Sequence, residues 1–208
     1  MNITPYEPRG DRGPCQGSLY RDISLSIMQG NDIDADMMEF SYPYAVSLTQ
    51  ECDLEEDYNC RNIVKQDTGS DDKHLPMILL CPAFLAEQVK AGTHLDYLKL
   101  KMKKQTSDFW RLIQQNKNPR YHYLSAFSVL QVPDLVIDFK HFFTIPTNIL
   151  LEKYGQEANH FARLNFLYRE DLSQRFAFYL ARIGLPIPHH YLNKPRDDVG
   201  MGNEKTQK

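Results

Sequence analysis

Cys52 and Asp53 stand where an apolar, β-favouring run gives way to acids, in "YAVSLTQECDLEED" from Tyr44 to Asp57. A cysteine nucleophile needs a base or a positive charge beside it to become thiolate. His122 and His74 are the candidate bases, and Asp53 or Asp138 could orient one of them. The surrounding acids Glu51, Glu55, Glu56 and Asp57 work against a thiolate. The expected order is therefore a strand end first, with Cys52 a small buried hydrophobe and Asp53 capping a turn, and a functional site second.

A metal site comes last. Cys52, Cys60, His74 and Cys81 are widely and irregularly spaced, whereas zinc sites usually present ligand pairs two to four residues apart. Asp53, Glu55 and Asp57 alternate but lack the glycine turn and closing glutamate of a calcium loop. His189 and His190 lie near a polar tail. No metal and no cofactor is expected.

The positive feature is the segment 99–123. Lys99, Lys101, Lys103, Lys104, Arg111, Lys117 and Arg120 are interleaved with Tyr97, Phe109, Trp110, Tyr121 and Tyr123. Basic groups answer phosphates and aromatic rings stack on bases, so this composition suits a nucleic-acid surface. The plainer reading is an amphipathic helix with solvated lysines, whose Leu98, Met102 and Trp110 enter the core. Arg169, Glu170, Gln174 and Arg175 would join Cys52 and Asp53 if the last helix packs beside that strand; otherwise they form surface ion pairs.

Short strands must position these groups. "LYRDISLSIM", "YPYAVSLT", "HLPMILLCPAF", "RYHYLSAF", "PDLVIDFKHFFTIP" and "FARLNFLY" read as strands. "HLPMILLCPAF" is apolar enough for burial on both faces. Residues 1–19 read as a loose arm, "QGNDIDAD" as a turn, and Glu51–Lys73 as an exposed loop. Helical spacing covers "FLAEQVKAG" and His94–Lys117, with a break capped by Ser107, and Pro146 opens a short helix through Tyr154. The final helix buries Leu172, Phe176, Tyr179, Leu180 and Ile183, and ends at Gly184 and Pro186. The pattern predicts an α+β fold built on a small antiparallel barrel. It gives one domain over 1–190: a barrel over 20–150 with a helical insertion at about 84–117, then a last strand and packing helix over 151–186. Residues 191–208 read as a disordered tail.

The 208 residues, 42% hydrophobic and 25% charged, suit a chain with a core. A net charge of −3 confines any nucleic-acid contact to a local patch. No run approaches the roughly eighteen apolar residues of a membrane span, and the first residues lack the apolar stretch of a signal peptide. A cytoplasmic protein with reduced cysteines and no membrane contact is the expectation.

"YAVSLTQECDL", "LVIDFKHFFTIP" and "LNFLYREDLSQRFAFYLARIGLP" resemble, in that order, a family of bacterial proteins with a Ser/Thr-Gln-x-Cys-Asp signature and a closing RE-LSQRF helix. The first two pieces also resemble the SH3-like barrels of the PemK/MazF toxins. That resemblance implies an SH3-like, PemK/MazF-like barrel and an interaction or accessory role, with a protein partner, in a toxin–antitoxin-like or phage-defence system. The toxins' RNA cleavage is not implied, because "HLPMILLCPAF" lacks the basic residue which that chemistry needs. The rival expectation is an enzyme acting on nucleic acid or a nucleotide, with Cys52, Asp53, His122 and Arg120 around one pocket. Its nucleic-acid contacts would come from Lys99, Lys101, Lys103, Lys104, Arg111, Lys117, Arg120 and Tyr121.

Overall fold

The computed structural model describes residues 4–29, 36–62 and 71–182. Ile183, Gly184, Pro186, His189, His190, the 191–208 tail and most of the "QGNDIDAD" turn lie outside the described residues. The fold is α+β, with eight strands in one sheet: β1 (Tyr6–Pro8), β2 (Ser18–Gln29), β3 (Asp36–Ser47), β4 (Met77–Leu85), β5 (Tyr121–Leu124), β6 (Leu135–Asp138), β7 (Phe143–Pro146) and β8 (His160–Leu164). The order across the sheet is β1-β8-β2-β3-β4-β6-β5, and β7 also pairs with β4; every ladder is antiparallel. No ladder among the described residues joins β1 to β5, so the sheet is open. Its two ends still approach, because the Tyr6 hydroxyl donates to the Ser125 carbonyl at 2.6 Å.

β4 lies at the centre, with β3 on one side and β7 then β6 in succession on the other. That position explains its near-continuous apolar character. Leu80 and Phe84 face one core cluster with Trp110, Ile113 and Tyr154; Cys81 and Ala83 face another with Phe139, Leu172 and Phe176. The period-2 alternation of the strands thus serves two apolar layers. One holds α2 (Ala86–Ala91), α3 (Ser107–Gln114) and α4 (Thr147–Tyr154); the other holds α5 (Phe166–Leu180).

Several elements differ from the sequence reading, each for a local reason. The acidic stretch is not a loop: α1 spans Glu51–Asn62, its first turn carrying Glu51 and Asp53 where the helix dipole favours negative charge. Pro43 is inside β3 rather than at its start. Its counterpart Asp22 adopts a left-handed φ of 58° and drops out of the register between Arg21↔Tyr44 and Ile23↔Tyr42, so no donor is demanded from the proline. Residues before Ser18 are no loose arm, since β1 pairs with β8 and the Gln16 N–H donates to Glu51 at 2.7 Å. "PDLVIDFKHFFTIP" forms two strands, β6 and β7, separated by a 3-10 turn at Phe139–His141.

The last strand ends at Leu164, because Asn165 turns the chain and its side chain caps α5 through the Leu167 N–H. Leu172 and Phe176 are buried as the stripe predicts, but Leu180 is 54% exposed. Residues 99–106 are not helical. A 3-10 turn at Asp96–Leu98 is closed by Lys99 in the left-handed region (φ 57°), and Thr106 rather than Ser107 caps α3. Gly92 (φ 81°) lets this stretch return along α2: a Cβ there would stand 2.6 Å from the Met102 carbonyl oxygen.

Candidate nucleic-acid interface and its flanking polar clusters

The "TQECD" stretch is a junction. Thr49 Oγ1 accepts the Leu79 N–H at 2.8 Å, extending the contact of β3 with β4. The Gln50 carbonyl accepts the Leu54 N–H at 3.2 Å and starts α1. Glu51 takes the Gln16 N–H on one oxygen and Arg169 on the other, at 2.9 Å. The last helix does reach this corner, through Glu51 rather than Cys52. Cys52 itself is exposed, not a buried strand end, because the helix turns it outward. Its sulfur lies 3.7 Å from Gln50 Oε1 and 3.6 Å from Asp53 Oδ1, and neither neighbour is an imidazole or a guanidinium. His74 instead lies 3.4 Å from the Cys60 sulfur.

Arg120 and His122 come together at the β5–β6 edge, each held by a different partner. Asp138, fully buried, accepts Arg120 Nε at 2.8 Å and Nη2 at 2.5 Å. It also accepts the Lys140 N–H, and His141 Nε2 stands 3.6 Å away. His122 is 2% exposed, and its Nδ1 accepts from Arg175 Nε at 3.0 Å. Burial first, and the Arg175 charge second, push the imidazole down to about 3. The ring is therefore neutral near pH 7, with its proton on Nε2, since Nδ1 must present a lone pair to the guanidinium. Arg175 further donates to the carbonyls of Asn116, Asn118 and Tyr121, tying α5 to the open edge of β5. Among the described residues, no hydrogen bond or ion pair joins Cys52 or Asp53 to Arg120 or His122.

The basic segment divides by residue type. Lys99, Lys101, Lys103, Lys104 and Lys117 are exposed, and among the described residues none forms an ion pair. Arg111 pairs with Asp108 at 2.8 Å. Arg120 is held by Asp138, and Tyr121 is 3% exposed beneath the Arg120 guanidinium. These last two are therefore not offered to the surface as the sequence reading expected. Tyr97 and Phe109 are 44% and 37% exposed beside the lysines, while Trp110 is in the core with Leu98 and Met102 packed against it.

The sequence reading set Arg175 beside Cys52 and Asp53 or in a surface ion pair, but it serves neither: its four acceptors come from residues 53 to 59 positions away. The sequence reading missed a cavity of about 310 Å³ between the Gly10–Cys15 loop, α1 and β8, lined by Arg12, Cys15, Glu51, Glu55, Tyr58 and Arg163. The mixture of glycine and arginine in "RGDRGPC" was the available signal. Among the described residues no group of three His, Cys, Asp or Glu side chains is placed to hold a metal ion, and no helix is long and apolar enough to cross a membrane. Comparison with protein-family models, with curated proteins and with solved structures finds no match for the chain.

Proposed function

We propose that this protein is an interaction component of a toxin–antitoxin-like or phage-defence system that binds a protein partner and contacts nucleic acid through the surface formed by residues 97–117. The observation that carries the nucleic-acid part is the set of five exposed lysines, without ion pairs among the described residues, beside Tyr97 and Phe109. Mobile ammonium groups suit a flexible phosphate backbone, and exposed rings give bases a stacking platform. The proposed fold family, an SH3-like roll of the PemK/MazF kind, is supported by the curled sheet whose ends meet at Tyr6 and Ser125. The system-level role rests on that likeness of fold and on the sequence resemblance.

Binding is favoured over the enzyme reading because Cys52, His122 and Arg120 each satisfy separate neighbours and share no hydrogen bond. The test is fluorescence anisotropy with labelled single- and double-stranded oligonucleotides across a salt series. Wild type should bind with a steep salt dependence. Lys101→Glu, Lys103→Glu and Lys104→Glu together should lower the slope of log K against log salt by about 2, from about 0.7 per phosphate contact on a single strand. No binding at low salt, or binding insensitive to salt, would overturn the proposal.

A further inference from the structure

A second cleft, of about 250 Å³, opens between the end of α3, β5 and the first turns of α5. It is smaller than pockets for drug-sized ligands and suits one planar heterocycle. Its walls are aromatic and fixed. The Tyr6 hydroxyl is anchored on Ser125 O, and the Tyr123 hydroxyl on Asp134 at 2.6 Å. The Asn116 side chain holds both the N–H and the carbonyl of Tyr123, at 2.6 and 3.1 Å. Tyr168, 40% exposed on α5, supplies a ring at the mouth.

The polar groups left over are few and complementary. Asp171 lines the cleft with its side chain 56% exposed and one oxygen 4.0 Å from His122 Nδ1, and among the described residues no hydrogen bond ends on its carboxylate. His122 lines it as well, with Nδ1 taken by Arg175 and Nε2–H as the ring's remaining donor. A carboxylate offers two parallel acceptors, and guanine presents two adjacent donors, N1–H and the 2-amino group, on its pairing edge. An imidazole N–H can answer the neighbouring O6. Adenine, cytosine and uracil do not present that pair of adjacent donors.

We infer that this cleft is a base-binding site selective for guanine, with Asp171 reading the N1–H and 2-amino edge and Tyr168 stacking on the ring. The inference rests in part on the proposed nucleic-acid contact, because Gln114 and Asn116 at the cleft lead directly to Lys117 of the lysine surface. An unstacked base entering here would belong to a single strand whose phosphates lie along the lysines.

The test uses free nucleosides, which carry no phosphate and do not depend on the lysines. Guanosine, inosine, adenosine, cytidine and uridine are titrated into the full chain, followed by the amide and aromatic NMR signals of Tyr123, Tyr168 and His122. Guanosine should bind at least tenfold tighter than adenosine, cytidine or uridine, and inosine, which lacks the 2-amino group, should fall between. Asp171→Asn should remove the preference for guanosine, and Tyr168→Ala should weaken all nucleosides alike, each with an unchanged melting temperature. Equal binding of all five, no shifts at millimolar nucleoside, or full guanosine preference in Asp171→Asn overturns the inference. Guanosine binding without salt-dependent oligonucleotide binding would refute the lysine surface and leave the cleft standing; the reverse pattern refutes the cleft alone.

Discussion

Arg175 ties α5 to β5 and the turn before it, beside the apolar packing of Leu172 and Phe176. Its guanidinium donates to His122 Nδ1 at 3.0 Å, to the Asn118 and Tyr121 carbonyls at 2.7 and 2.9 Å, and to the Asn116 carbonyl. Arg175→Met keeps the length and helix propensity of the side chain but removes every donor. Hydrogen bonds to a charged group contribute about 1.5–3 kcal/mol each, yet four such values do not add here. Burial lowers the Arg175 pKa, which shows that the cation is held at a desolvation cost, and that cost disappears with the arginine. The half-buried carbonyls also regain some water. The net loss should be about 3 kcal/mol, because neutral acceptors left without a donor cost about 1–3 kcal/mol each before water returns to them. For a chain of this size that corresponds to a melting temperature lower by about 6–12 °C. Arg175→Lys should fall in between, because one ammonium cannot span four acceptors. Urea unfolding followed by tryptophan fluorescence gives the free energies, with an unchanged m-value as the control. An Arg175→Met protein within about 1 kcal/mol of wild type would refute the argument that this network holds the helix to the sheet.

Acid should destabilise the protein through its buried histidines: His122 is pushed down to about 3 and His160 to about 4, and His94 and His141 are lowered too, in each case chiefly by burial. The unfolded chain takes up these protons near pH 6.5, so stability is complete above that pH and falls as the pH drops toward the folded values, by up to about 1.4 kcal/mol per unit for each residue. Urea midpoints measured from pH 7 to 4.5 should show this slope, and His122→Asn should lower it by up to about 1.4 kcal/mol per pH unit; a slope untouched by that substitution would contradict the assignment. Thiol labelling under native conditions should modify exposed Cys52 and spare Cys15 and Cys81, which are buried. Cys52→Ser should change stability by no more than about 0.5 kcal/mol. Native labelling of Cys81 as fast as Cys52, detected by mass spectrometry of the digested protein, would refute the packing of β4.

The strands were legible where composition and burial agree. The apolar run of β4 announces a central strand, and the Leu172–Phe176 stripe announces a helix packed on the sheet. The α1 helix was hidden because its apolar stripe is almost absent: Leu54 is the one buried apolar side chain in it, and acids dominate its turns. What holds it is non-local, with buried Asp57 accepting the Leu75 N–H at 2.7 Å and Arg61 donating to the Leu75 carbonyl at 3.2 Å. Lysine-rich "LKLKMKK" has good helical propensity, yet tertiary contacts around Gly92 override it. The candidate site divided in the same way. Exposed lysines are visible in a sequence, whereas the commitment of Arg120 to Asp138 and of His122 to Arg175 depends on pairings 18 and 53 residues apart.

The division of labour between the two cations gives these observations a common logic. Arg61, Arg111, Arg120, Arg163 and Arg169 each face a carboxylate, and Arg175 gathers three carbonyls and an imidazole. A planar fork with five fixed donors suits such contacts, and once engaged it has little left to offer a ligand. The ammonium groups of residues 99–117 do the opposite. Four of them, Lys99, Lys101, Lys103 and Lys104, stand on flexible stems on a non-helical stretch that returns along α2 at Gly92, in a chain whose net charge is −3. Concentrating positive charge within one short segment of an acidic protein raises self-repulsion locally and contributes nothing to the core. A polyanionic partner relieves that repulsion and releases its own counterions on binding. The arginines thus account for how the sheet, α1 and α5 are held together, and the unpaired lysines remain as the charge that the fold itself does not use.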